Sequence, residues 1–176
     1  MNYLKQNPIG KDAIIQNLQY KLYNDLLTKW GSDLDGYGRC YVVSTNGRKT
    51  IEPYLSSNEY KNLVVAEKNK FFFTAENDDE KVGNNYYQTK VYLYFIVDVK
   101  KLKPDITHRA DEEVRNDVLN LIESNVYFNV IKVVTNIDKV FNRYDYDYTD
   151  DMQPYHCFKI ELQSVEYNIN QTYCTN

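Results

Sequence analysis

Residues 90–99 read KVYLYFIVDV. Val91, Leu93, Phe95, Val97 and Val99 alternate with Tyr92, Tyr94 and Ile96, so an extended chain here is apolar or aromatic on both faces. Such a strand is stable only when both faces are covered, which makes it a central strand of a packed sheet. With the residues before it, the strand is expected over 86–99.

On its N-terminal side, Ile14, Ile15, Leu18, Leu22, Leu26, Leu27 and Trp30 recur at spacings of three and four, predicting an amphipathic helix over 12–30. Gly31 is expected to end it as a left-handed cap. Gly36 and Gly38 are read as a turn before strand 39–45. Asn46-Gly47 then predicts a tight hairpin into 48–52, because both central residues must tolerate positive φ. Pro53 limits that second strand's place in a sheet interior. Short strands are expected at 63–66 and 71–75, as a second hairpin. The acidic stretch 76–85, with almost no large apolar residue, is expected to be a mobile loop.

On the C-terminal side, Pro104 and Asp105 precede a helix over 110–124, whose stripe is Val114, Val118, Leu121 and Ile122 and whose first turn carries Asp111, Glu112 and Glu113. Strands follow at 130–135 and 138–141, then an acidic, aromatic loop at 143–154. The last strand, 155–167, changes parity between Leu162 and Val165, which predicts a bulge near Gln163 or Ser164. The sum is an α+β fold: a mainly antiparallel sheet with an N-terminal helix and a second helix packed on it, and long acidic, aromatic loops. It is expected as a single domain over 1–176 with a flexible tail at 168–176.

Composition narrows the function. The chain carries 18 tyrosines but two histidines and three cysteines, so it is rich in contact surface and poor in catalytic groups. Net charge is −4, with cations scattered, so a concentrated basic footprint for nucleic acid is missing. The longest apolar run, nine residues with Asp98 inside it, is well short of the ~20 that a membrane helix needs. The polar residues 1–11 do not read as a secretory signal. Cys40, Cys157 and Cys174 are odd in number and far apart, as expected of reduced thiols.

Asp145, Asp147, Asp150 and Asp151 form the densest carboxylate group, but a calcium loop starting at Asp145 would want glycine at 150 and glutamate at 156, where Asp150 and His156 stand. His156 and Cys157 are neighbours, so on a strand they point to opposite faces and cannot act as base and nucleophile together; Cys157 would need His108 instead. Glu161 and Glu166 read as ordinary acids of an exposed strand face. No catalytic residue, metal or cofactor is assigned. Tyr86, Tyr87, Tyr144, Tyr146 and Tyr148, which lie in polar stretches, are interface candidates, with the acids Asp78, Asp79 and Glu80 beside the first pair. Trp30 is an interface candidate too, against the plainer reading that it closes the core under its helix.

The element order resembles that of the tail-terminator and head-to-tail connector proteins of tailed bacteriophages. The resemblance rests on helix 12–30 followed by the Asn46-Gly47 hairpin, strand 91–99, helix 110–124 and the closing strand after Gln153-Pro154-Tyr155. It implies a non-enzymatic virion protein, assembled in the host cytoplasm. Its copies would join into a homo-oligomeric ring, docked by loops to a portal-proximal connector or tail tube, with DNA passing through unbound and no membrane involved. Two rival expectations are an adaptor or inhibitor that binds proteins through the tyrosine-rich loops, and a hydrolase that uses the carboxylates around Asp145–Asp151.

Overall fold

The computed structural model describes residues 6–31, 33–53, 69–75, 78–142 and 154–170. In chain order the elements are α1 (Gly10–Trp30), β1 (Leu34–Thr45), β2 (Arg48–Pro53), β3 (Asn69–Thr74), β4 (Glu80–Gly83), β5 (Tyr86–Gln88), β6 (Lys90–Asp98), α2 (Val99–Leu102), α3 (Asp111–Glu123), β7 (Phe128–Val134), α4 (Ile137–Val140), β8 (Tyr155–Ser164) and β9 (Tyr167–Asn168). Among the described residues, six strands form one sheet in the order β2-β1-β3-β6-β8-β7, and β4-β5-β9 form a second. All pairs are antiparallel except β1 with β3. The class is α+β.

β6 is buried on both faces from Val91 to Asp98, as its residue pattern requires. One face packs under α1 and α3. There Ile14, Ile15, Leu18, Leu22 and Leu26 of α1 and Val114, Val118 and Ile122 of α3 meet Phe71, Phe73, Val91, Leu93, Phe95, Phe158 and Ile160 of the sheet. Phe71, Phe95 and Phe158 are register partners across β3, β6 and β8. Their rings stack, with centroids 5.6 Å apart for Phe71–Phe95 and 4.7 Å for Phe95–Phe158. Trp30 closes the row edge-on to Phe95 at 6.4 Å. The other face gathers Cys40, Tyr92, Tyr94, Ile96 and Cys157 with Val140 and Phe141, and Phe141 stacks on Tyr94 at 5.7 Å.

The sequence reading needs several corrections. The strand expected over 86–99 is two strands in two sheets, broken at Thr89, and the closing strand 155–167 breaks in the same way after Ser164. No bulge is needed there: the parity change marks a change of sheet. The two breaks meet. Thr89 donates its backbone N–H to Ser164 Oγ at 2.9 Å, and Ser164 returns its N–H to the Thr89 carbonyl at 2.9 Å. Both residues are buried, so each bond replaces water that neither group can reach. The β6 strand also ends one residue early, because the Asp98 carboxylate accepts from Lys101 N–H and caps α2.

The expected loop 76–85 contains β4 and a turn with Asn85 at φ 63°, so it folds as a hairpin with β5. Segment 138–141 is a helical turn rather than a strand, because Asn136 Oδ1 accepts the Asp138 N–H. Gly36 and Gly38 lie inside β1; a Cβ on Gly36 would sit 2.8 Å from Phe71 Cζ and 3.1 Å from Tyr23 Cδ2, so the glycine admits the Phe71 ring. Gly31 has positive φ (87°) but extended ψ (−171°), which is a glycine conformation other than the left-handed cap. β3 pairs in parallel with β1, not in a local hairpin; segment 63–66 lies outside the described residues. Asn168, expected to open a flexible tail, is paired with Tyr86 in the second sheet.

Two outcomes follow for chemical denaturation. Phe95→Ala is expected to cost about 3–5 kcal/mol, as for large aromatic truncations in a closed core. Ser164→Ala is expected to cost about 1–3 kcal/mol, because the Thr89 N–H would be left buried and unpaired.

Candidate functional site

The predicted interface residues separate once the fold is known. Tyr86 and Tyr87 are successive residues of β5 and so face opposite ways. Tyr86 is exposed, while Tyr87 packs against the core beside buried Tyr167. Tyr87 is therefore half-buried against the core, and Tyr86 is the member of the pair that is exposed. Ile9, Val82 and Ile169 are further exposed apolar residues. Ile169 follows Asn168, the partner of Tyr86, and its backbone lies 3.2 Å from where a Gly10 Cβ would stand, so the second sheet meets the start of α1 there.

Asp78, Asp79 and Glu80 are all exposed, and Asp79 has a structural task as well. It forms an ion pair with Lys11. Burial pushes its carboxyl up, yet hydrogen bonds from Lys11, Tyr167 and Thr89 and the Lys11 charge outweigh that and hold it below the ordinary value. Asp79 thus ties the β4–β5 hairpin to α1 and to the strand crossing at Thr89, and is not a free acid for a partner. Tyr144, Tyr146, Tyr148, Asp145, Asp147, Asp150 and Asp151 lie outside the described residues.

Trp30 is half-buried over Phe95 and donates Nε1–H to Asp117 Oδ2 at 2.9 Å. Asp117 also meets Lys29 Nζ at 2.7 Å and Lys103 Nζ at 2.9 Å. Burial raises its carboxyl, and the bonds from Lys29, Lys103 and Trp30 overcome this, leaving it below its usual range. One buried carboxylate therefore joins the end of α1, the segment after α2, and α3. Sequence reasoning missed it; the signal was an acid one turn from Val114 and one position from Val118, on the buried side of the α3 stripe.

The possible nucleophile and base are apart. Cys157 belongs to the cluster on the second sheet face, and His108 Nε2 lies 3.1 Å from Glu113 Oε1 at the surface start of α3. His156 faces the other way from Cys157, 5 % exposed and stacked on Phe158 at 5.2 Å. Its Nδ1 is 3.7 Å from Asp111 Oδ2, while Arg109 Nε holds both Asp111 oxygens at 2.8 Å. Nε2 is buried with no hydrogen-bond partner. Burial lowers the His156 pKa from 6.5 to about 4; Asp111 opposes this, and Arg115 and Arg109 add to it. Among the described residues, no group of three or more His, Cys, Asp or Glu side chains is placed to hold a metal ion.

Two edges of the main sheet complete the surface. Beyond Cys40, the five pairs from Tyr41↔Glu52 to Thr45↔Arg48 extend past the last β1–β3 pair, so among the described residues β1 and β2 continue as a two-stranded arm. Its turn holds Asn46 at φ 54° and Gly47 at φ 79°. Val42 on the arm is exposed. At the far edge, β7 exposes Val130 and Ile131, with Val126 just before it 74 % exposed. Asn129 and Lys132 on the same strand are exposed too, so the edge mixes apolar and polar positions and carries the lysine that edge strands commonly have.

No family model matches the chain, and a search of curated proteins gives no match. Among the described residues, no helix is long and apolar enough to cross a membrane.

His156 sets an acid limit on stability. The unfolded histidine binds a proton as pH falls through about 6.5, whereas the folded one stays neutral to about 4, so stability is full above this window and lost within it. The loss is expected to reach about 3 kcal/mol by pH 4. Denaturation midpoints between pH 7 and pH 4 check this. His156→Gln should flatten the slope in that window while leaving the further loss below it, where Asp79 and Asp117 protonate.

Proposed function

We propose that this chain is a virion structural protein, a ring-forming component of a tailed-phage neck or tail. Its copies associate head to tail, and loops dock the ring to neighbouring rings such as a portal-proximal connector or tail tube. The reading rests on the likeness of element order to tail terminators and head-to-tail connectors. The observation that carries it is the pair of unlike edges on the main sheet among the described residues: the β1–β2 arm at one end and the mixed, exposed edge of β7 at the other. A cyclic assembly needs two different surfaces on each subunit, and a self-complementary dimer does not.

Exposed Val82 and Tyr86 on the β4–β5 hairpin, which belongs to the second sheet and not to either edge strand of the main one, suit the contact with a neighbouring ring. The net charge of −4 favours passage of DNA without adhesion. No step of this function requires a catalytic group or cofactor.

Light scattering of the purified protein across a concentration series, with negative-stain images, tests the reading. Closed rings of uniform size are the expected result. A monomer at every concentration overturns it.

A further inference from the structure

We propose that segment 104–110, with the first turn of α3, is a latch that opens in acid: protonated His156 draws Asp111 away from Arg109 and frees the segment from the sheet. Arg109 is what ties it down. Its Nη2 donates to the Tyr155 carbonyl at 2.6 Å, and its Nε holds both Asp111 oxygens at 2.8 Å. The latch acts within one copy of the chain and does not depend on the ring reading above.

The imidazole sits at the foot of that tie. His156 is buried, follows Tyr155 on β8 and lies opposite Val97 of β6. Its ring stacks on Phe158, Nδ1 stands 3.7 Å from Asp111 Oδ2, and Nε2 has no hydrogen-bond partner. A neutral ring tolerates such a site, whereas a charged one has two N–H groups to satisfy away from water. Among the described residues the charged groups that face it are Asp111 and Arg115 of α3 and Arg109 just before α3. Arg115 is paired with Glu112, so Asp111 is the one acid within reach, and its present partner is Arg109. The side chains of Asp111 and Arg109 are partly exposed, so the way from the ring to water also runs past them. Whether the imidazolium takes the carboxylate or reaches solvent, the Arg109 tie is broken.

Little else holds the segment shut. It is mostly exposed, with Ala110 buried at its end, and α3 begins there without a side-chain cap. Its main-chain hydrogen bonds are local: Ile106 N–H to the Lys103 carbonyl and Val114 N–H to the Ala110 carbonyl, both at 3.2 Å. A stretch with few buried apolar groups opens at lower free energy than a sheet centre. Further along α3, the bonds of Asp117 to Lys29, Trp30 and Lys103 and the buried Val118 and Ile122 keep the helix in place, so the opening is confined to its start. The closed ring stays neutral to about 4 and the open one titrates near 6.5, so the latch is shut above this window and loosens as pH falls through it. The open population is expected to rise roughly twentyfold between pH 7 and pH 5.

Hydrogen exchange of the full-length chain at pH 7 and pH 5, with each amide referred to its intrinsic rate at that pH, tests the latch. The Val114 and Arg115 amides are expected to be less protected than those of Phe95 and Phe158 at both pH values, and their opening to rise roughly twentyfold at pH 5. The rise should vanish in His156→Gln. It should persist in His108→Gln, whose imidazole meets Glu113 at the surface. Protection at the start of α3 equal to that of the sheet centre at both pH values would mean that it opens only with the whole molecule, and overturns the proposal. So does a start of α3 whose opening does not change with pH, or a rise that is lost in His108→Gln. These three outcomes are read without the buried substitution, so they decide the matter even where His156→Gln does not fold; a folded His156→Gln that keeps the rise overturns it too.

Discussion

The Phe95 ring lies between Phe71 and Phe158, and the rest of the structure is arranged around keeping it dry. Three strands must hold register for the rings to stack, and one residue of slip in any of them would turn a phenyl group toward the opposite face. α1 and α3 cover that row, Trp30 closes its end, and Asp117 fixes Trp30 together with two lysines. The buried Asp117 carboxylate is tolerable because each of its oxygens has a donor, and two cations offset its charge.

The crossing of Thr89 and Ser164 is the second constraint. Two adjacent strands leave the main sheet at the same level and re-pair in a smaller one, with their exchanged hydrogen bonds bridging the break. Three residues past Ser164, Tyr167 is fully buried under α1, and Asp79 joins Lys11. All three acids of the hairpin reach water, but only Asp79 also anchors it, through Lys11. Tyr87 is half-buried against the core while its neighbour Tyr86 is exposed.

Strength of pattern explains which elements were legible. β6 and α3 could be read because their periodicity is long and uninterrupted, and the hairpin because Asn46-Gly47 matches the positive φ that its turn demands. The breaks in strands 86–99 and 155–167 were hidden because Thr89 and Ser164 are ordinary strand residues; what ends pairing there is each other's presence, 75 positions away in sequence. Residues 138–141 read as a strand because four residues cannot distinguish the two periods, and a local cap from Asn136 decided for a helical turn. Gly36 looked like a turn, and only the Phe71 ring beside it shows why the position must be small.

The α+β class, the doubly covered central strand, the two helices and the hairpin are legible in the residue order, because each depends on spacing within one segment. Which tyrosine faces water, which aspartate is an anchor, where the strands change sheet, and which strands form the two edges emerge from packing between segments. Those properties are relations between segments distant in the chain, so they arise when packing selects one arrangement of hydrogen bonds and buried charges from many that the local pattern allows.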